Sequence, residues 1–232
     1  MLAACRPVIA ASRGVPLHIR LSRVSSDRAP RLIENWTELP PNLFLPLGAP
    51  AYLRSVLAGL SAAANEARHR QVTALIGGIV GSPEFDGFLR ETEMFGDLSA
   101  GAMIQNAVAL HAAADLARRG VTLWIDLAET IRTAHGFPTE IQQADSTLED
   151  YAASGNLAAD PFKRPGEFLM GLFALLFSAA RSANENALGI DCAGGYAAEL
   201  LGDLHRMGFR RFSAPTSHRD EVRLLLGQPQ EE

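Results

Sequence analysis

Residues 98–119 read LSAGAMIQNAVALHAAADLARR and are followed by Gly120, and the choice of fold turns on this stretch. Met103, Ala107, Leu110, Ala114 and Ala117 recur at spacings of 4, 3, 4 and 3, the period that lines one face of an α-helix. Arg118 and Arg119 suit the negative end of the helix dipole, and a glycine just beyond it supplies the left-handed stop. Read this way, the segment is one long helix from Leu98 to Arg119.

The same grammar extends in both directions. Downstream, Leu123, Leu127 and Ile131 predict a helix from about Leu123 to His135, ended by Gly136. Pro138 and Thr139 open another that runs to Gly155, and an apolar helix spans about Pro165 to Arg181. Ala193 to Met207 repeats the pattern, with Tyr196, Leu200, Leu204 and Met207 inward, and Ser217 with Asp220 resembles a capping box for a last short helix. Upstream, Leu53, Leu57, Leu60 and Ala64 form a stripe, and Ser82-Pro83-Glu84 starts a helix that Gly96 closes. The expectation is an all-α protein, an irregular multi-helix bundle of about eight helices, with no repeat of fixed period.

The N-terminal part differs. Residues 1–31 hold six arginines against Asp27 alone, a local charge of +5, which leaves −10 for the remainder of a chain whose net charge is −5. Val15, Leu17, Ile19 and Leu21 alternate with polar or constrained neighbours at the two-residue period of a strand. From Pro30 to Pro50 five prolines interleave with Trp36, Phe44 and leucines, as in a non-helical strap packed on a surface. The expected division is therefore an extended, partly strand-like basic arm and strap over 1–48 and a helical globular domain over 49–232.

Composition removes several classes of function. An apolar fraction of 47% with 20% charged residues places the chain among folded proteins. The longest apolar run, Phe168 to Ala180, is closed by Arg181 and falls short of the roughly 20 residues a membrane span needs. Two cysteines, Cys5 and Cys192, make neither a disulfide framework nor a cysteine-rich zinc site, and point to a reducing, cytoplasmic compartment. Leu2-Ala3-Ala4-Cys5 has the look of a lipoprotein cleavage box, but no charged and apolar region precedes it here, so the expectation is a chance alanine-rich start. Lys163 is the only lysine, and the arginine bias reads as nucleotide composition rather than selection for guanidinium chemistry.

Candidate chemistry is sparse. Glu66-x-x-His69 matches half of a bundle di-metal motif, yet the other half is missing, and an exposed pair beside Arg68 and Arg70 is expected. Asp126, Glu129 and His135 invite an acid–base reading, although Arg132 three residues on accounts for Glu129 as an ion pair. Cys192 with His205 or His111 lacks a nucleophile signature, and His111 is placed close to a buried helix face. Gly77-Gly78-Ile79-Val80-Gly81-Ser82 lacks the Lys-Ser/Thr ending of a phosphate loop and reads as a bend between helices. No catalytic, metal or cofactor residue is assigned.

Charge ranks what remains. The arm supplies the expected partner-binding residues Arg6, Arg13, Arg20, Arg23, Arg28 and Arg31, with Trp36 and Phe44 of the strap adding apolar contact. Residues 84–160 carry thirteen acids against four arginines, a surface such an arm would attract. The leading expectation is a non-enzymatic helical scaffold, adaptor or coat-like subunit that acts through self-assembly or a protein partner. Behind it stand a nucleic-acid-packaging protein using the same arm and an enzyme or small-ligand binder with a pocket between helices near Phe168, Phe173 and Phe177.

Overall fold

The computed structural model describes residues 2–12, 14–21, 50–78, 81–137, 150, 153–155, 160–184, 187–193 and 198–227. They fall into two compact units, Met1–Met103 and Ile104–Glu232. Both are α/β, so the all-α bundle is overturned. Helices alternate with strands, and every strand pairing within either unit is parallel.

In the first unit the order is α1 (Leu2–Ala11), β1 (Leu17–Arg20), α2 (Pro50–Ala67), β2 (Val72–Gly77), α3 (Ser82–Glu93) and β3 (Leu98–Ile104). The strands lie in chain order, β1 beside β2 and β2 beside β3. All six residues of β2 are buried, as expected of a parallel strand covered on both faces. The stripe Leu53, Leu57, Leu60 and Ala64 turns inward along α2, and Phe85 and Phe88 of α3 meet edge to face at 6.2 Å. Arg54 on α2 holds Glu91 on α3 through two hydrogen bonds of 2.6 and 2.8 Å.

The residues expected to form an extended arm are partly helical. α1 packs along α2 and buries Ile9 completely, while Arg6 reaches Glu66 at 3.7 Å. The alternation over residues 15–21 forms β1, sewn to β2 by hydrogen bonds from Leu17 N–H to the Gln71 carbonyl and from Leu21 N–H to the Leu75 carbonyl. The strap over residues 30–50 lies outside the described residues apart from Pro50.

The second unit runs α4 (Ala107–Arg118), β4 (Thr122–Asp126), α5 (Leu127–Ala134), α6 (Glu167–Ala183), β5 (Leu188–Asp191), α7 (Ala198–Met207), β6 (Phe212–Ser213), a 3₁₀ turn (Thr216–His218) and α8 (Arg219–Leu225). β5 lies between β4 and β6. α4 and α6 pack on each other, the first burying alanines 109, 113, 114 and 117, whose small side chains permit close approach, and the second Leu169, Phe173, Leu176 and Ala180. Burying Phe173 alone stabilises the unit by about 1.5–3 kcal/mol.

Two of the expected helices are strand–helix pairs. Residues 98–104 are β3, and the helix begins only after Asn106, whose side chain accepts a hydrogen bond from Ala109 N–H at 2.7 Å. Residues 122–126 are β4, and Asp126 caps α5 by accepting from Glu129 N–H at 3.2 Å. The apolar stretch from Val72 is β2, which ends at Gly77, the first residue of the glycine run read as a bend between helices, so that run follows a strand and not a helix, and the segment before α7 contains β5. Among the described residues, no helix is long and apolar enough to cross a membrane.

Candidate functional site

Neighbours in register in a parallel sheet point to the same face. In the second unit Trp124 is paired with Gly189, Asp126 with Asp191, and Asp191 with Ser213. One face of β4–β6 therefore carries an indole, two carboxylates and a hydroxyl, while the intervening Leu123, Ile125, Leu188 and Ile190 form a buried apolar face. The carboxyl ends of parallel strands are where α/β folds collect polar groups and seat ligands.

Both carboxylates are buried and tied into the backbone. Asp126 accepts from Gln105 Nε2 at 3.0 Å as well as capping α5. Asp191 accepts from Ser213 Oγ at 2.6 Å and from Ala193 N–H at 3.1 Å. Their neighbour Cys192 is equally buried, and burial, with Asp191 adding to it, pushes its thiol up to about 12. A thiol so placed stays protonated at neutral pH and is no nucleophile. Among the described residues no group of three or more His, Cys, Asp or Glu side chains is placed to hold a metal ion.

An arginine-lined cleft lies beside β6 in the same unit. α7 ends at Gly208, whose φ of +121° is open to glycine alone, and Phe209 turns inward to pack on Phe177 at 5.4 Å. Arg210 then reaches back and donates to the carbonyls of His205 (2.7 Å) and Phe209 (3.0 Å), which fixes its stem against the C-terminal end of α7. Arg211 lays its guanidinium over the Trp124 ring, 5.1 Å from the centroid, a contact worth about 0.5–2 kcal/mol. The indole also rests on Gly189, where a Cβ would stand 2.8 Å from two ring carbons.

Past β6 the chain turns through Pro215 into α8, which Val222 anchors in the core. Arg219, Arg223 and Leu226 follow at helical spacing and line the opposite wall. The cleft encloses about 370 Å³ between Trp124, Arg210, Arg211, Phe212 and Ala214 on the strand side and these residues on the other. Among the described residues that line it, four are arginines and none is acidic. Burial lowers the pKa of Arg211, as desolvation of a cation must.

The residues singled out in the sequence end up dispersed. Arg6 pairs with Glu66, and Arg20 is the exposed last residue of β1. Arg13, Arg23, Arg28, Arg31, Trp36 and Phe44 lie outside the described residues. His69 is not in an exposed pair with Glu66. It is buried, with Nε2 2.9 Å from the Ser12 carbonyl and Nδ1 accepting from Gln71 N–H at 3.2 Å, and these partners select the Nε2–H tautomer. Glu129 pairs with Arg132 at 2.6 Å as spacing predicts, and His135 stacks on Phe137 at the exposed end of α5. His111 is exposed on α4, whereas the sequence set it near the buried face. Phe168 is 73% exposed, Phe173 fully buried and Phe177 packed on Phe209.

The cleft arginines went unnoticed in the sequence, although a signal exists: residues 206–223 hold five arginines against Asp220 and Glu221. No protein-family model matches the chain, and no curated protein matches it.

Proposed function

We propose that this chain is a binding protein for a small anionic ligand, seated in the cleft between β6 and α8. One observation carries the reading: among the described residues that line one concavity, four bear guanidinium groups and none is acidic. Guanidinium groups present planar, paired donors that match carboxylate and phosphate oxygens. Gathering them has a local cost, since Arg219 and Arg223, four apart on one helix, repel by about 0.2–0.5 kcal/mol, an effect that the Arg219–Asp220 ion pair at 3.4 Å offsets in part. A bound anion removes that cost. The volume lies at the low end of small-molecule pockets, which span roughly 300–1,000 Å³.

Titration calorimetry on the full chain at low ionic strength tests it. Inorganic phosphate or citrate should release binding heat that fades as salt is raised, while neutral glycerol gives none. Absence of heat with every anion at low salt would end the reading.

A second reading retains association with a protein partner or a second copy, because Phe168 (73% exposed) and Leu175 (43%) stand seven residues apart on one face of α6. Packaging of nucleic acid by a free arginine arm has less to stand on, since α1 and β1 are engaged within the first unit.

A further inference from the structure

We infer that the exposed face of α6 pairs with the same face of a second copy of this chain, the two helices running antiparallel about a two-fold axis at Ala174. The inference rests on the second-copy reading above, gives it a geometry, and is independent of the arginine cleft.

Charge placement points to the second copy. Glu167, Ala174 and Arg181 are all exposed and follow one another at seven-residue steps, close to two turns each, so they share one stripe of the helix. About 21 Å of helix separates the acid at its start from the base near its end, with Ala174 midway. Turning a second copy by 180° about Ala174 brings each Glu167 beside the other copy's Arg181, and the opposed helix dipoles add to the attraction. Parallel pairing would set like charge on like charge. Among the described residues neither Glu167 nor Arg181 has an ion pair of its own. The dipole of a single helix accounts for an acid at its beginning and a base at its end. It does not account for what lies between them.

Between the charges the face is apolar and low. Phe168 and Leu175 flank the stripe, 73% and 43% exposed, while Gly171, Ala174 and Ser178 are exposed along it. Gly171 is the informative position. Glycine inside a helix is destabilising relative to alanine, and the fold of this chain does not call for it, since a Cβ there would meet nothing within 4 Å. A second helix crossing at that point does call for it. Small side chains at the crossing let the two backbones approach, and Phe168 and Leu175 of each copy then close over the seam. Leu169, Phe173 and Leu176, buried on the opposite side, hold the helix in place to receive its twin.

Sedimentation equilibrium on the full chain at low salt gives the test. The wild type should show a reversible monomer–dimer equilibrium. Glu167→Arg and Arg181→Glu should each raise the dimer dissociation constant at least about fivefold, because each symmetric contact loses an attraction and gains a repulsion. Both exchanges in one chain should bring it back to within about twofold of the wild type, and an equimolar mixture of the two single variants should form a heterodimer. Gly171→Gln enters open space, so it should keep the far-ultraviolet circular dichroism of the wild type while weakening the dimer at least about tenfold. A wild type that stays monomeric at every concentration overturns pairing with a second copy altogether. A dimer indifferent to all of these variants overturns pairing through α6 and leaves association by another face. Weakening by Gly171→Gln without recovery in the double exchange overturns the antiparallel geometry.

Discussion

Cys192 shows how burial alone decides what a residue does. Its thiol is sealed behind β5 and titrates near 12, while Cys5 on α1 is half-buried. A maleimide at pH 8 should therefore modify Cys5 in the folded protein and reach Cys192 only in denaturant. The linkage has a definite sign. A thiol that holds its proton more tightly when folded contributes stability that is whole below the unfolded pKa of about 8.5 and is lost as pH rises toward the folded value. Urea midpoints of the wild type should fall more steeply than those of Cys192→Ala between pH 9 and 11. Parallel curves, or rapid native labelling of both thiols, would contradict this placement. His69 works differently: both ring nitrogens are spent on backbone groups, so a motif that resembles metal chemistry serves to fasten Ser12 and Gln71.

Among the elements, β5 depends on having no side chain at Gly189. A methyl group there would meet the Trp124 ring at 2.8 Å, and because the neighbouring strand is fixed by register, the indole must move and carry the Arg211 stack with it. Gly189→Ala should cost about 1–3 kcal/mol in urea unfolding and shift the indole emission to the red. An unchanged midpoint and spectrum would mean that the ring is not clamped. Element boundaries also show what the sequence made legible. The stripe of α2, the ion pair of α5, the start of α3 near Ser82 and the strand at residues 17–20 were all readable, because exposed and half-buried segments leave periodic traces. Parallel strands covered on both faces leave none, only short apolar runs. Ser99-Ala100-Gly101-Ala102 and Trp124-Ile125-Asp126 run straight into a helix, so the three-and-four spacing of the helix carries on through them by chance. Asn106 and Asp126 were the missed markers, since a capping side chain in the middle of a supposed helix signals that the helix begins there. Of the candidate site almost nothing was legible. Five arginines near the C-terminal end were in view, but their convergence with Trp124 depends on β4 and β6 flanking one strand, which spacing along the chain does not reveal.

For the molecule as a whole, the choice between a ligand-binding monomer and an assembling subunit belongs to α6. Phe168 and Leu175 are large apolar side chains left in solvent, while the same helix buries Leu169, Leu172, Phe173 and Leu176 on its other side. If the partner reading holds, light scattering should give a mass well above 24.9 kDa for the wild type and a return toward that value for Phe168→Ser. A wild type already at the monomer mass across a wide concentration range rules out self-assembly through this face. Anion binding should be untouched by the substitution, because Phe168 does not line the cleft.

Within each unit the strands sit side by side in the order in which the chain emerges. No strand has to wait for a later one to be slotted between it and its neighbour. Each new strand needs only to add to an edge already formed, with the closure entropy of a single crossover to overcome. A chain wired in this way can condense progressively as it leaves the ribosome, and it spends little time with an apolar edge open to foreign strands.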